Sequence, residues 1–159
     1  MPLAFAGDRL FPVQSLQIVY ASTSGHTEYV IGRIAAAIPG AVVTRVERAT
    51  PETLLAGDVL LLASGSWNTG GIEGQMNPYM DFFLKRAAKD VDLSGKKVAI
   101  VALGDERYRY TANAGNLLEE YVKTHGGVVL GERLVIVNEP YGQEPAIDAW
   151  AKKISSLLA

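Results

Sequence analysis

Two stretches of the chain are apolar without a break: the run that follows Asp58 in Asp58-Val-Leu-Leu-Leu-Ala63, and Val98-Ala-Ile-Val-Ala-Leu103. A strand with one wet face alternates apolar and polar residues, so a continuous short run fits a strand covered on both faces. Leu16–Tyr20, Ala41–Val46 and Val128–Val137 complete five strands. Helical spacings separate them. One spans Thr27–Ile38, with Val30, Ile31, Ile34, Ala35 and Ile38 on one face. A second opens at Asn77-Pro78 and carries Met80, Phe83, Leu84 and Ala87. A third carries Leu117, Leu118, Tyr121 and Val122, and a last one Ile147, Trp150, Ala151, Ile154 and Leu157. Pro39-Gly40 and Gly126-Gly127 stop helices. Thr50-Pro51-Glu52 reads as an N-cap with proline at the first helical position, opening a short turn through Leu55. Strands alternating with helices specify an α/β fold, a parallel sheet with helices on both faces. Residues 16–159 form one domain. Residues 1–15 are an arm of unknown role, apolar but carrying Asp8, Arg9 and two prolines.

Composition narrows the chemistry. The 159 residues contain no cysteine, which removes disulfides, thiolate metal sites and cysteine nucleophiles. Two histidines, His26 and His125, make a histidine metal centre unexpected, so no metal is anticipated. The net charge of −2 gives no footprint for nucleic acid. No run is long enough to span a membrane, and the arm lacks the pattern of a signal peptide. The expectation is a cytoplasmic protein without membrane or nucleic-acid partners.

In an open parallel sheet, ligands bind at the carboxyl ends of the strands, beside the point where strand order reverses. Three loops gather there. The first, Ser22-Thr23-Ser24-Gly25-His26-Thr27-Glu28, follows strand one and opens a helix. It offers four hydroxyls, a glycine for a sharp turn, and the positive end of the helix. That suits a phosphate held by hydroxyls, main-chain N–H groups and His26. With no Lys or Arg it is not the loop of a nucleotide triphosphatase, and it lacks G-x-G-x-x-G. The second stretch, Ser64–Gln75, sets Trp67 among Gly65, Ser66, Asn68 and Thr69. The third, Gly104–Tyr110, follows Leu103 and holds Asp105, Tyr108 and Tyr110. An aromatic residue in such a loop either folds onto the core or meets a ligand. Two of them converging on a phosphate loop fit a flat aromatic ligand with a phosphate tail, and Asp105 could accept a hydrogen bond from a ring N–H.

These three motifs, in this order and spacing, resemble the flavodoxin family from about Leu16 to Leu158. Ser22–Glu28 resembles its phosphate loop. Ser66-Trp67-Asn68 resembles its first flavin loop, with tryptophan on the inner ring face. Gly104-Asp105-x-x-Tyr108-x-Tyr110 resembles its second, with tyrosine on the outer face. The resemblance implies a three-layer sandwich, sheet order 2-1-3-4-5, the short-chain form, and FMN as cofactor. The expected cofactor-binding residues are Ser22, Thr23, Ser24, Gly25, His26, Thr27, Gly65, Ser66, Trp67, Asn68, Thr69, Leu103, Gly104, Asp105, Tyr108 and Tyr110. No catalytic residue is expected.

The chain departs from the family pattern at three points. His26 replaces the usual asparagine. Asn68 stands where many short-chain members have glycine, so the peptide turn expected on flavin reduction carries some cost. Arg107 and Arg109 offset Asp105 and Glu106 near the ring, in a chain far less acidic than most flavodoxins.

The implied function is a monomeric FMN-binding carrier that shuttles electrons between redox protein partners, with the chemistry on the flavin. The alternatives are an FMN-dependent quinone or nitro reductase, which needs an open flavin face, and a flavodoxin-like scaffold without FMN. A response-regulator domain shares the sheet order but needs paired acids after strand one, where this chain has Tyr20-Ala21.

Overall fold

The computed structural model describes residues 3–6, 9–69, 72–106 and 111–159, with the main chain alone at 3–6, 9–12, 68, 69 and 72. The central sheet is built from β3 (Leu16–Tyr20), β4 (Val42–Arg45), β5 (Val59–Thr69), β7 (Lys97–Gly104), β8 (Val128–Val129) and β9 (Leu134–Val137). Its order is β4-β3-β5-β7-β8, with β9 also on β7, and every pair within it is parallel. Counted from β3, this is the order 2-1-3-4-5. Helices α1 (His26–Ala37), α2 (Pro51–Leu55), α3 (Pro78–Lys85), α4 (Ala114–Thr124) and α5 (Glu144–Leu158) connect the strands, with a 3-10 turn at Val46–Arg48.

The unbroken apolar runs are explained by two separate cores. On β5, Leu60 and Leu62 face one layer and Val59, Leu61 and Ala63 the other. On β7, Val98, Ile100 and Ala102 join the first layer and Ala99, Val101 and Leu103 the second. The first layer takes Met80, Phe83 and Leu84 of α3 and Leu118, Tyr121 and Val122 of α4. The second takes Val30, Ile31 and Ile34 of α1 and Ile147, Trp150 and Ile154 of α5. Beside the edge strand β4, Gln17 of β3 is 5% exposed and donates through Nε2 to the Val42 carbonyl and Thr44 Oγ1, which partners its buried amide N–H groups.

Several sequence expectations shift. The fifth strand divides into β8 and β9, with Gly131 at φ 66° between them. Helix α3 ends at Lys85, and in the turn after it the buried alanine is Ala88 while Ala87 is exposed. At the end of α5, Leu158 is buried while Leu157 is 48% exposed. The long polar stretch after Ala63 is not simply a loop. β5 runs on past the sheet to Thr69 and turns back as β6 (Ile72–Met76), an antiparallel ribbon that pairs Trp67 with Gln75. Small polar residues with few apolar partners hide a strand whose stability comes from main-chain pairing rather than burial. In the arm, β1 (Leu3–Ala6) and β2 (Arg9–Pro12) pair as a hairpin. The chain that follows is anchored: Val13 packs on the second core and the Gln14 amide donates to the Leu158 carbonyl at 2.9 Å.

Two polar ties close the first layer. His125 ends α4, its Nδ1 2.7 Å from the Tyr121 carbonyl and its Nε2 2.8 Å from that of Lys89, as expected for a C-terminal cap. Tyr121 donates its hydroxyl to the Ala88 carbonyl at 2.5 Å, and burial pushes its phenol up to about 12. The raised value fixes the sign. The unfolded phenol titrates near 10, so this contribution to stability is complete below pH 10 and is lost as pH rises toward 12. In an ultraviolet titration of the folded protein, one tyrosine is expected to ionise near pH 12, and Tyr121→Phe removes that step. The same variant is expected to lose about 1 kcal/mol in urea unfolding, one buried hydrogen bond's worth.

Candidate functional site

The carboxyl ends of β3, β5 and β7 open into one cleft of about 680 Å³. The first loop contributes Ser22, Thr23, Ser24, His26 and Thr27 to its lining. The end of β5 contributes Gly65, Ser66 and Trp67, and the end of β7 contributes Leu103, Gly104 and Asp105. Three segments far apart in sequence thus meet because the sheet order sets their strands side by side. Asn77, Glu106, Asn138 and Glu139 complete the wall.

The phosphate-type loop is shaped by Gly25, whose φ of 92° is unfavourable for a residue with Cβ and which caps α1. The Tyr29 N–H donates to the Gly25 carbonyl at 3.0 Å, the first bond of the helix. Ser22 Oγ accepts from the Glu28 N–H at 3.2 Å. The N–H groups of His26 and Thr27 find no acceptor among the described residues, so they remain available to an anion. Ser22 and Thr27 are buried, whereas Thr23 and Ser24 are exposed. His26 meets Tyr141 edge-on, with ring centroids 5.7 Å apart.

The loop holds no Lys or Arg of its own, but an arginine stands behind it. Arg45 of β4 donates through Nη2 to the Ser22 carbonyl at 2.7 Å and through Nη1 to Glu28 Oε1 at 3.0 Å. Its guanidinium carbon lies 5.4 Å from the Tyr20 ring centroid, and Tyr20 donates its hydroxyl to Glu28 at 2.9 Å. Burial, reinforced by the Glu28 carboxylate, holds the Tyr20 phenol above its ordinary value. Sequence spacing gives no sign of Arg45. Only the register of β3 on β4, which sets Tyr20 opposite Arg45, brings it here.

Asn77 is a second residue missed by sequence, where it reads only as a helix opener. It is 1% exposed. Its Oδ1 caps α3 by accepting from the Tyr79 N–H at 2.9 Å, and its Nδ2 donates to Thr23 Oγ1 at 3.0 Å. Its own N–H reaches Ser64 Oγ at 3.0 Å and the Gly65 carbonyl at 3.1 Å. One side chain therefore joins the first loop to α3, and the main chain beside it joins the end of β5.

The two tryptophans resolve differently. Trp150 is 7% exposed, lies in the second core and donates to the Glu132 carbonyl at 2.8 Å. Trp67 belongs to neither core and is partly exposed at the cleft, its Nε1 3.6 Å from where a Cβ on Gly65 would stand. Ser66 Oγ accepts from the Ala114 N–H at 2.9 Å and so holds the start of α4. Asn68 and Thr69 continue β5 in the ribbon.

The third loop is braced from both ends. Thr111 donates through Oγ1 to the Asp105 carbonyl at 2.7 Å. Asn138, at φ 66°, donates its N–H to the Gly104 carbonyl at 2.7 Å and accepts from the Glu106 N–H at 3.0 Å through Oδ1. Its left-handed backbone turn is the sequence-level signal that asparagine can carry. Tyr108 and Tyr110, with Arg107 and Arg109, lie outside the described residues.

This is a parallel α/β sandwich whose cleft joins a helix start with unpaired N–H groups to the ring of Trp67. The flavodoxin family model matches residues 18–150. A flavodoxin of Maridesulfovibrio salexigens is 31% identical over 147 residues, covering 89% of this chain and 97% of that one. A probable flavodoxin 2 of Bacillus subtilis is 27% identical over 132 residues, covering 80% and 84%. Among solved structures, oxidised flavodoxin 2 of Bacillus cereus superposes with TM-score 0.80 at 27% identity, covering 89% of this chain and 98% of that one. The Fusobacterium nucleatum flavodoxin bound to flavin mononucleotide superposes with TM-score 0.74 at 18% identity, covering 92% and 99%.

The chain belongs to the flavodoxin family, FMN-binding electron-transfer proteins that act as carriers rather than enzymes. When bound, FMN supplies the redox chemistry, and the protein's part is to bind, orient and shield it. Among the described residues no helix is long and apolar enough to cross a membrane, and no cluster of three or more His, Asp or Glu could hold a metal.

Proposed function

We propose that this cleft holds FMN through residues 16–159. The phosphate lies on Ser22, Thr23, Ser24, Gly25, His26 and Thr27, and the ring lies between the Gly65–Thr69 strand and the Leu103–Tyr110 loop. The convergence of the hydroxyl loop, the free helix N–H groups and Trp67 on one cleft carries this reading. Ser22, Thr23, Ser24 and Thr27 hydroxyls with the His26 and Thr27 N–H groups suit a phosphate dianion, and Arg45 adds positive potential through the Ser22 peptide. Trp67 stacks on one face of the ring, Tyr108 covers the other, Asp105 accepts from a ring N–H and Tyr110 lines the same loop. The protein works as a monomer in the cytoplasm, exchanging electrons with redox protein partners.

Titration of apo-protein with FMN and with riboflavin tests the assignment. FMN is expected to quench tryptophan fluorescence and to bind at least ~100-fold tighter than riboflavin, since several charge-assisted hydrogen bonds at 1.5–3 kcal/mol each depend on the phosphate. Trp67→Ala is expected to weaken both ligands alike, by roughly 10-fold, because it acts on the ring they share. Equal affinity for the two ligands would place the phosphate elsewhere.

A further inference from the structure

Outside the cleft, α3 carries an exposed stripe. Tyr79 and Phe82 are 56% and 64% exposed, while Met80, Phe83 and Leu84 on the other side enter the core. A phenylalanine so exposed gains almost nothing from folding. The stripe continues into Arg86, whose guanidinium carbon lies 5.4 Å from the Phe82 ring centroid, and Lys89 is exposed one turn further on. A groove of about 350 Å³ lies beside it, lined by Gln75, Met76, Pro78, Phe82 and Arg86. Gln75 is the cross-strand partner of Trp67, so groove and cleft are lined from the two neighbouring strands of one β-ribbon.

The charge around this stripe opposes that of the whole chain. Lys85 is matched by Asp81 at 3.0 Å. Arg86 and Lys89, and Arg48 in the 3-10 turn packed on α3, are exposed and have no carboxylate partner among the described residues. Glu47 nearby is held by Arg45 at 3.3 Å, and the exposed carboxylates that follow α3, Asp90 and Asp92, are fewer than the three unpaired cations. The face is cationic on a chain of net charge −2.

We propose that this stripe is the docking surface for an acidic electron-transfer protein, with Phe82 entering an apolar spot that the partner rings with carboxylates. The inference rests on the FMN reading of the cleft, which gives electron transfer its purpose here. Exposed aromatics beside arginine are the residue types that concentrate binding energy at interfaces, and unpaired rim cations steer an acidic partner into register. A second copy of this chain docking by the same face would set Arg86 and Lys89 against themselves, which disfavours self-pairing. The ribbon then places the partner one strand away from Trp67.

The test is a ¹⁵N chemical-shift titration of the FMN-loaded protein with an acidic plant-type [2Fe–2S] ferredoxin and, separately, with basic cytochrome c. Ferredoxin is expected to shift the amides of Tyr79, Phe82, Arg86 and Lys89. Its affinity is expected to fall several-fold between 50 and 200 mM NaCl, about 10-fold in Phe82→Ala, and further in Arg86→Glu with Lys89→Glu. Phe82 and Arg86 are exposed, so these variants keep the fold, and the dispersion of the same spectra checks that. The proposal is overturned by ferredoxin leaving these amides unmoved, by unchanged affinity in the variants, by cytochrome c shifting the same amides, or by concentration-dependent self-association through them. Flavin absorbance of each sample reports the cleft separately. Loss of FMN counts against the cleft assignment, while the shifts, readable with or without flavin, decide the docking surface.

Discussion

Gly104→Ala is expected to cost about 3 kcal/mol, divided between apo-protein stability and FMN binding, so that affinity falls by up to roughly 100-fold. Gly104 ends β7 where the third loop leaves the sheet. A Cβ there would lie 2.3 Å from the Ala112 nitrogen, 2.9 Å from its Cα and 2.9 Å from Thr111 Cγ2. Two of those atoms are main chain and cannot rotate away, so the loop itself must move. Overpacking of this sort costs about 1–3 kcal/mol even where side chains can yield. The same shift pulls on Thr111 and Asn138, which brace Asp105 and Glu106. If binding FMN requires the wild-type loop, the ligand bears the strain, and about 3 kcal/mol corresponds to roughly two decades of affinity. Isothermal titration with FMN, beside a urea melt of the apo-protein, separates the two effects. FMN affinity within twofold of wild type together with an unchanged apo-protein melt would show that the loop adapts and that its braces are dispensable.

Asn77→Ala ranks second. The substitution removes the cap of α3, worth about 1 kcal/mol, and the bond to Thr23, worth about 1 more, and it leaves a buried gap. Apo-protein stability is expected to drop by about 2–3 kcal/mol, or roughly 5–10 °C in Tm for a chain of this size. FMN affinity is expected to fall by about 10-fold as the Thr23 hydroxyl loses its orientation. Asn77→Ser distinguishes the two roles, because serine can cap the helix but is too short to reach Thr23. It should recover the cap's share of the stability, about 1 kcal/mol, and little of the affinity. Recovery of both would reduce Asn77 to a helix cap.

Much of this molecule can be read from its residues. The unbroken runs in β5 and β7 state that both faces of the sheet are covered, and the helical spacings state with what. The first loop is legible because its hydroxyls, its glycine and the helix start are consecutive. Trp67 is legible because a large ring amid small polar residues needs a reason. What stays hidden is built across the sequence. Arg45 reaches Ser22 from another strand, through a register that no local pattern encodes. Asn77 looks like any helix cap until the fold sets Thr23 beside it. The β5–β6 ribbon gives no hydrophobic signal, since main-chain pairing forms it. Ala88 and Leu158 in place of Ala87 and Leu157 are one-residue shifts at helix ends, where the chain leaves regular helical geometry.

The two apolar cores have no residue in common; the sheet is the wall between them. Loosening of α1 and α5 therefore need not loosen α3 and α4, except through the strands and through polar links over the top of the sheet. Asn77 is such a link, running from the cap of α3 on one side to the loop that starts α1 on the other. A phosphate seated on that loop would also restrain Thr23, and through it Asn77. Occupancy at one end of the molecule would then slow amide exchange in a helix on the far side of the sheet, making the cofactor a rivet between two layers that otherwise breathe separately.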